Sequence, residues 1–239
     1  LQILIMKLSV LLVLISTSAI AQQTPIKAGE YIAEGGYGHL FIKQGSKGLL
    51  TFSIESIHVN GHMCSAEGEI VGQKAVLDTE EADKCIVQFT PKGADIDVAV
   101  NDLAICHTFC GSRASGFDGL YLKPVSGCTT KEVKKRRSEF KRLYDQKKFS
   151  QAQMVLSSVL KDCSKILDNR DGGWIRNDLA LTYFKLNDRE SCRKTLQPLA
   201  ESAALSDQEL EEEYGIRPMD LAGDLPMIKA TRTNLKLCK

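Results

Sequence analysis

Eight cysteines constrain this chain more than any other feature: Cys64, Cys85, Cys106, Cys110, Cys128, Cys163, Cys192 and Cys238. All of them follow an apolar leader. Met6-Lys7 precedes the run Leu8 to Ile15, and Ala19-Ile20-Ala21 closes it. A positive start, a short apolar stretch and an A-x-A ending form the pattern of a secretory signal peptide, with cleavage expected after Ala21. Residues 1–21 are therefore read as upstream residues plus signal peptide, with Leu1 to Ile5 preceding the start methionine. The run is too short to span a bilayer, so no stable membrane insertion is expected. The expected address is periplasmic or secreted, where an even number of cysteines predicts disulfides. Zinc would require C-x2-C pairs or clustered histidines, and haem attachment would require C-x-x-C-H; the chain offers one C-x3-C and otherwise wide spacings.

The hydrophobic period changes along the chain. Gly38 to Gln44, Leu50 to Ile57, Cys85 to Phe89 and Asp95 to Val100 alternate with a period of two, as strands buried on one face do. Leu50, Phe52 and Ile54 share one face, and Ile96, Val98 and Val100 point inward in their turn. Gly35-Gly36, Asn60-Gly61, Gly72-Gln73 and Pro91-Lys92-Gly93 supply turns between the runs. Residues 29–125 are expected to form a disulfide-tied antiparallel β-barrel or sandwich. After Cys128 the period becomes helical. Thr129 or Thr130 caps a first helix carrying Val133, Phe140 and Tyr144 on one face. A second helix carries Ala152, Val155, Leu156, Val159, Leu160 and Cys163 as an apolar stripe. Gly172-Gly173 is expected to break the chain before a third helix from about Trp174 to Leu186. A fourth runs from about Arg189 to Leu199 and a last one from Met227 to Leu237. The fold class expected is α+β, with residues 128–239 as a helical-hairpin domain.

That second half contains a repeat. Tyr144 to Ala152 (YDQKKFSQA) matches Phe184 to Cys192 (FKLNDRESC) at an offset of 40 residues. An aromatic, a short polar turn and a small residue inside the next helix resemble a tetratricopeptide helix hairpin. Antiparallel neighbouring helices place Cys128 near Cys163, and Cys192 near Cys238. In the strand half, Cys64–Cys85 across neighbouring strands and a local Cys106–Cys110 bridge are expected.

Chemistry is harder to find. Lys and Arg number 31 against 30 Asp and Glu, so there is no basic excess of the kind nucleic-acid binding requires. No nucleophile elbow, zinc-protease or phosphate-loop motif occurs. No catalytic residue, metal or cofactor is expected. His58 and His62 flank an Asn60-Gly61 turn and are read as ordinary polar residues. Cys106 and His107 would point to opposite sides of a strand, which argues against a thiolate–imidazole pair. Asp95 and Asp97 belong to the wet face of a strand. The basic stretch Lys131 to Arg142 is read as a solvated helix face, turned toward the acidic run Glu209 to Glu213.

The segment Cys106 to Tyr121 (CHTFCGSRASGFDGLY) resembles a segment of small exported bacterial proteins of the lysozyme-inhibitor-like type. That family's Ser-Gly-x-x-Tyr inhibitory loop is not reproduced, since Ser115-Gly116 stands too far from Tyr121. A disulfide-pinned, glycine-rich loop with Arg113, Phe117 and Tyr121 as partner-binding residues suits a protein contact, because arginine and aromatics dominate interface hot spots; the competing reading places Phe117 and Tyr121 in the core and pairs Arg113 with an acid. The function expected is a periplasmic protein-binding protein: an inhibitor or immunity protein that occludes another exported protein, a hydrolase or a toxin. The alternatives are a tetratricopeptide-like scaffold for envelope assembly and an envelope enzyme whose site is not readable from the sequence.

Overall fold

The computed structural model describes residues 25–45, 48–57, 61–79, 83–111, 114, 116–215 and 217–239. The signal-peptide reading lies outside the described residues. Among the described residues the fold is α+β: an eight-stranded antiparallel sheet curled into a nearly closed barrel, then seven helices.

The barrel strands are β1 (Gly29–Ala33), β2 (Gly38–Gln44), β3 (Leu50–Ile57), β4 (Met63–Ile70), β5 (Lys74–Leu77), β6 (Cys85–Lys92), β7 (Asp95–Val100) and β8 (Gly119–Leu122). Their spatial order is β4-β3-β2-β1-β8-β7-β6-β5. β4 and β5 meet through the Val71–Lys74 bridge at the turn between them. The inward residues are those the alternation predicts. Phe52, Ile54, Ile96 and Val98 are buried, with Leu50 and Val100 at the margin of the core. Tyr31, Phe52, Phe89, Phe117 and Tyr121 fill the interior, so the barrel is a packed core. Phe52 and Phe89 meet edge to face with centroids 4.9 Å apart.

The two barrel disulfides correct the expected pairing: Cys64 joins Cys110 and Cys85 joins Cys106. The reason is local. Asp102 caps a helical turn, α1 (Leu103–Cys106), accepting from the N–H groups of Ala104 and Ile105, and a 3-10 turn (His107–Phe109) continues it. A rigid turn sends its two cysteines outward to separate strands. It straddles the barrel end and stitches β6 to β4.

The helices are α2 (Thr130–Asp145), α3 (Phe149–Cys163), α4 (Asn169–Lys185), α5 (Arg189–Leu196), α6 (Ala200–Ala204), α7 (Asp207–Tyr214) and α8 (Pro218–Leu237). Thr129 caps α2, and Glu132 returns the bond by accepting from the Thr129 N–H at 3.1 Å and its hydroxyl at 2.7 Å. Those bonds hold the Glu132 carboxyl below the usual range. The Cys128–Cys163 and Cys192–Cys238 bridges form as antiparallel helix geometry predicts. The repeat is geometrical as well as sequential. Lys147 and Asn187, 40 residues apart, both adopt left-handed backbone, with φ of 59° and 61°. Lys148 N–H donates to Leu143 O, and Asp188 N–H to Tyr183 O, both at 2.9 Å. Ala152 and Cys192 are then fully buried where the second helix of each hairpin crosses the first.

Gly172-Gly173 does not break the chain as expected; both lie inside α4. Asp168 caps α4 one turn earlier, and the missing side chain at Gly173 lets α8 approach, since a Cβ there would come 2.7 Å from Met227 Sδ. Asn177, Thr231 and Asn234 seal this contact. The Asn177 amide donates to Thr231 Oγ1 at 2.8 Å, and the Asn234 amide to Asn177 Oδ1 at 2.9 Å. The last helix begins nine residues before the expected Met227, because Pro218 sits in its first turn and Pro226 is accommodated within it.

Barrel and helices are docked through the β1–β2 turn. Gly35 N–H donates to Lys165 O at 2.7 Å. Glu30 accepts from the Thr130 N–H at 3.1 Å and its hydroxyl at 2.7 Å. Gly36 has φ 81°, and a Cβ there would overlap Asp168 N and lie 2.7 Å from the Leu167 carbonyl carbon. Gly35→Ala and Gly36→Ala are both expected to cost about 1–2 kcal/mol for left-handed backbone. Only Gly36→Ala adds the clash, since a Cβ at Gly35 would touch nothing nearer than Tyr37 at 3.5 Å. Thermal unfolding of the pair checks this: equal losses would show that the turn is not wedged against the α3–α4 connection.

Candidate functional site

Two of the three residues nominated in the Cys106 to Tyr121 segment are buried. Phe117 and Tyr121 are 1% and 2% exposed and belong to the barrel core. The Tyr121 hydroxyl donates to Phe117 O at 2.9 Å, and burial pushes its pKa far up. A partner-binding role for these two side chains is therefore corrected to a structural one. Arg113 lies outside the described residues, as does His58. Cys64 is spent in a disulfide, and among the described residues no group of three His, Cys, Asp or Glu is arranged to hold a metal.

A different site stands out: a cleft of about 760 Å³ between the barrel and the first helices of the two hairpins. One wall is Ile32, Gly36 and His39 of the β1–β2 region. The other is one face of α2, with Val133, Arg137, Phe140 and Tyr144 at helical spacing. Ile166 and Leu167 line it from the α3–α4 connection, and α4 contributes Asp171, Asp178 and Leu181. The docking contacts above fix its shape, and Cys128–Cys163 ties the start of α2 to the end of α3 beside it.

Its charges are mostly satisfied. Arg137 pairs with Asp171 at 2.7 Å and Lys141 with Asp145 at 2.8 Å. Asp168 accepts the Asp171 N–H at 2.6 Å. This accounts for part of the basic stretch. Arg136 turns inward to Gly127 O and the Ser158 hydroxyl. The expected facing of Lys131 to Arg142 on Glu209 to Glu213 is not found: that acidic run lies in α7 against α8, and among the described residues none of it pairs with α2. Packing order, with α7 folded back on the last helix, separates the two charge runs.

Lys134, exposed on the rim, has no ion pair among the described residues, and of the acids lining the cleft Asp178 is the exception. It lines the cleft half-buried, and among the described residues its carboxylate has no hydrogen-bond or ion-pair partner. Burial raises its pKa, opposed by the nearby Arg137 guanidinium. Tyr144 stands close enough that the carboxylate helps raise the phenol's pKa, after burial. A sequence signal existed: at i−4, i−3 and i+3 Asp178 has Trp174, Ile175 and Leu181, with no cation at helical spacing. A carboxyl whose folded pKa exceeds its unfolded value imposes no penalty below the unfolded pKa. The penalty grows as pH rises through that value and is complete above the folded pKa. Asp178→Asn is therefore expected to raise the melting temperature at pH 7, with the gain vanishing near pH 3. A melting curve that drops at pH 7 would mean the carboxylate is held by a structural partner.

No protein-family model, curated protein or solved structure matches this chain. The site must be read from its own chemistry. Four disulfides fit an oxidising compartment. Among the described residues no helix is long and apolar enough to cross a membrane.

Proposed function

We propose that the protein works outside the cytosol, in the periplasm or secreted, and binds a segment of another exported protein in the cleft between barrel and helices. It acts by occlusion, as an inhibitor or immunity protein against a hydrolase or toxin, and not by chemistry. The helical half is read as tetratricopeptide-like, presenting the first helix of each hairpin to the ligand, and the barrel as lysozyme-inhibitor-like in general type. The observation that carries this reading is the cleft itself: apolar at Val133, Phe140 and Leu181 and rimmed by charge.

A photo-crosslinking amino acid placed at Ser138, on the exposed rim, tests it against one placed at Gln208, on the remote α7. In an envelope extract of the native cell, a discrete adduct from position 138 and none from 208 is expected. Equal labelling, or none, would remove the cleft as the contact site.

A further inference from the structure

We infer that Asp178 is the receptor for a basic side chain, a lysine or arginine carried by the bound protein segment. The inference rests on the cleft reading above and specifies its ligand chemistry. Of the acids lining the cleft, Asp145 and Asp171 already hold Lys141 and Arg137, and Asp168 caps α4. Asp178 alone faces the cleft without a partner among the described residues. Its surroundings suit a cation with a long apolar stem. Phe140 and Tyr144 lie on the opposing helix with ring centroids 5.6 Å apart, and Leu181 is one turn along α4. Such a wall takes the methylenes while the carboxylate takes the charge. Aromatic rings beside a carboxylate also favour ammonium and guanidinium groups over neutral ones. A half-buried carboxylate left open in the free protein gains when a charge arrives with the ligand, since part of its desolvation has already been met in folding.

The side chain belongs to a protein segment and not to a small amine, because the cleft continues well past Asp178 to Ile32 and His39 on the barrel. A basic residue near one end of an extended segment would reach Asp178 while its neighbours run along α2.

The probe is a phage-displayed library of random dodecapeptides, selected on the full oxidised chain. Peptides should be enriched that carry a recurrent Lys or Arg. Asp178→Asn should weaken them about tenfold or more, replacing the peptide's basic residue with Ala should weaken them equally, and the two changes together should add nothing. The Asn variant keeps the shape of the side chain and removes a half-buried charge, so it is expected to fold. A second variant, Leu181→Trp, fills the cleft beside Asp178. Peptides that Leu181→Trp blocks but that carry no base, or ignore Asp178→Asn, would overturn the inference while leaving the cleft reading intact. Peptides insensitive to both variants, or no enrichment, would overturn the two together.

Discussion

Complete reduction of the four disulfides is expected to abolish the cooperative native state near room temperature. The bridges close loops with sequence separations of 46, 21, 35 and 46 residues. Each contributes about 2–4 kcal/mol, chiefly by restricting the unfolded chain. Together they are worth on the order of 10 kcal/mol, which is comparable with the whole stability of an ordinary domain. The loss should be gated by access. Seven of the eight cysteines are buried, whereas Cys110 is half-buried at the barrel end. Cys64–Cys110 should therefore open first, and Cys128–Cys163 only once α2 and α3 part. Timed thiol alkylation read by mass spectrometry, with circular dichroism on the same samples, gives both the order and the collapse. A fully reduced chain that melts at the oxidised midpoint would show that the bridges do not support the fold. Non-reducing peptide maps containing Cys64–Cys85 would contradict the described pairing.

The two helical bridges were legible in the sequence and the two barrel bridges were not, for a physical reason. Antiparallel helices joined by a short turn put the start of one beside the end of the next whatever their side chains, so Cys128 and Cys163 needed only the hairpin. A pairing in the barrel depends on which loop crosses its mouth. That loop is a capped helical turn only because Asp102 accepts from Ala104 and Ile105, a contact that strand alternation does not encode. Glycines misled in the same way. Gly172-Gly173 reads as a breaker by propensity, yet Asp168 supplies a cap and α8 requires the space, so tertiary contact outweighs the roughly 1 kcal/mol that each glycine costs a helix. The barrel's inner faces were legible because a period of two has one outcome once a face is buried. Asp178 was hidden by its ordinariness: one acid among thirty acidic side chains, distinguished only by what it lacks at helical spacing.

Tyr121→Ala is expected to cost about 3–5 kcal/mol, the range for emptying a large aromatic from a core. The residue sits in β8, four residues long, which hydrogen-bonds to β1 on one side and β7 on the other. Its ring lies beneath Gly38, where a Cβ would already be 3.0 Å from the hydroxyl. A void there loosens the strand that hydrogen-bonds the β1 side of the sheet to the β7 side. Tyr121→Phe keeps the ring and removes only the bond to Phe117 O, so it should cost about 0.5–1.5 kcal/mol. Urea titration separates the two effects: the midpoint should fall steeply for Ala and slightly for Phe, with similar slopes. The comparison also decides how a binding defect is to be interpreted. If Tyr121→Ala loses a partner and Tyr121→Phe keeps it, the defect is one of barrel stability, because the ring that the cleft reading requires to be buried has merely been removed from the core. If Tyr121→Ala is as stable as the wild type, the ring does not fill the interior, and the surface role that its sequence context suggests would return.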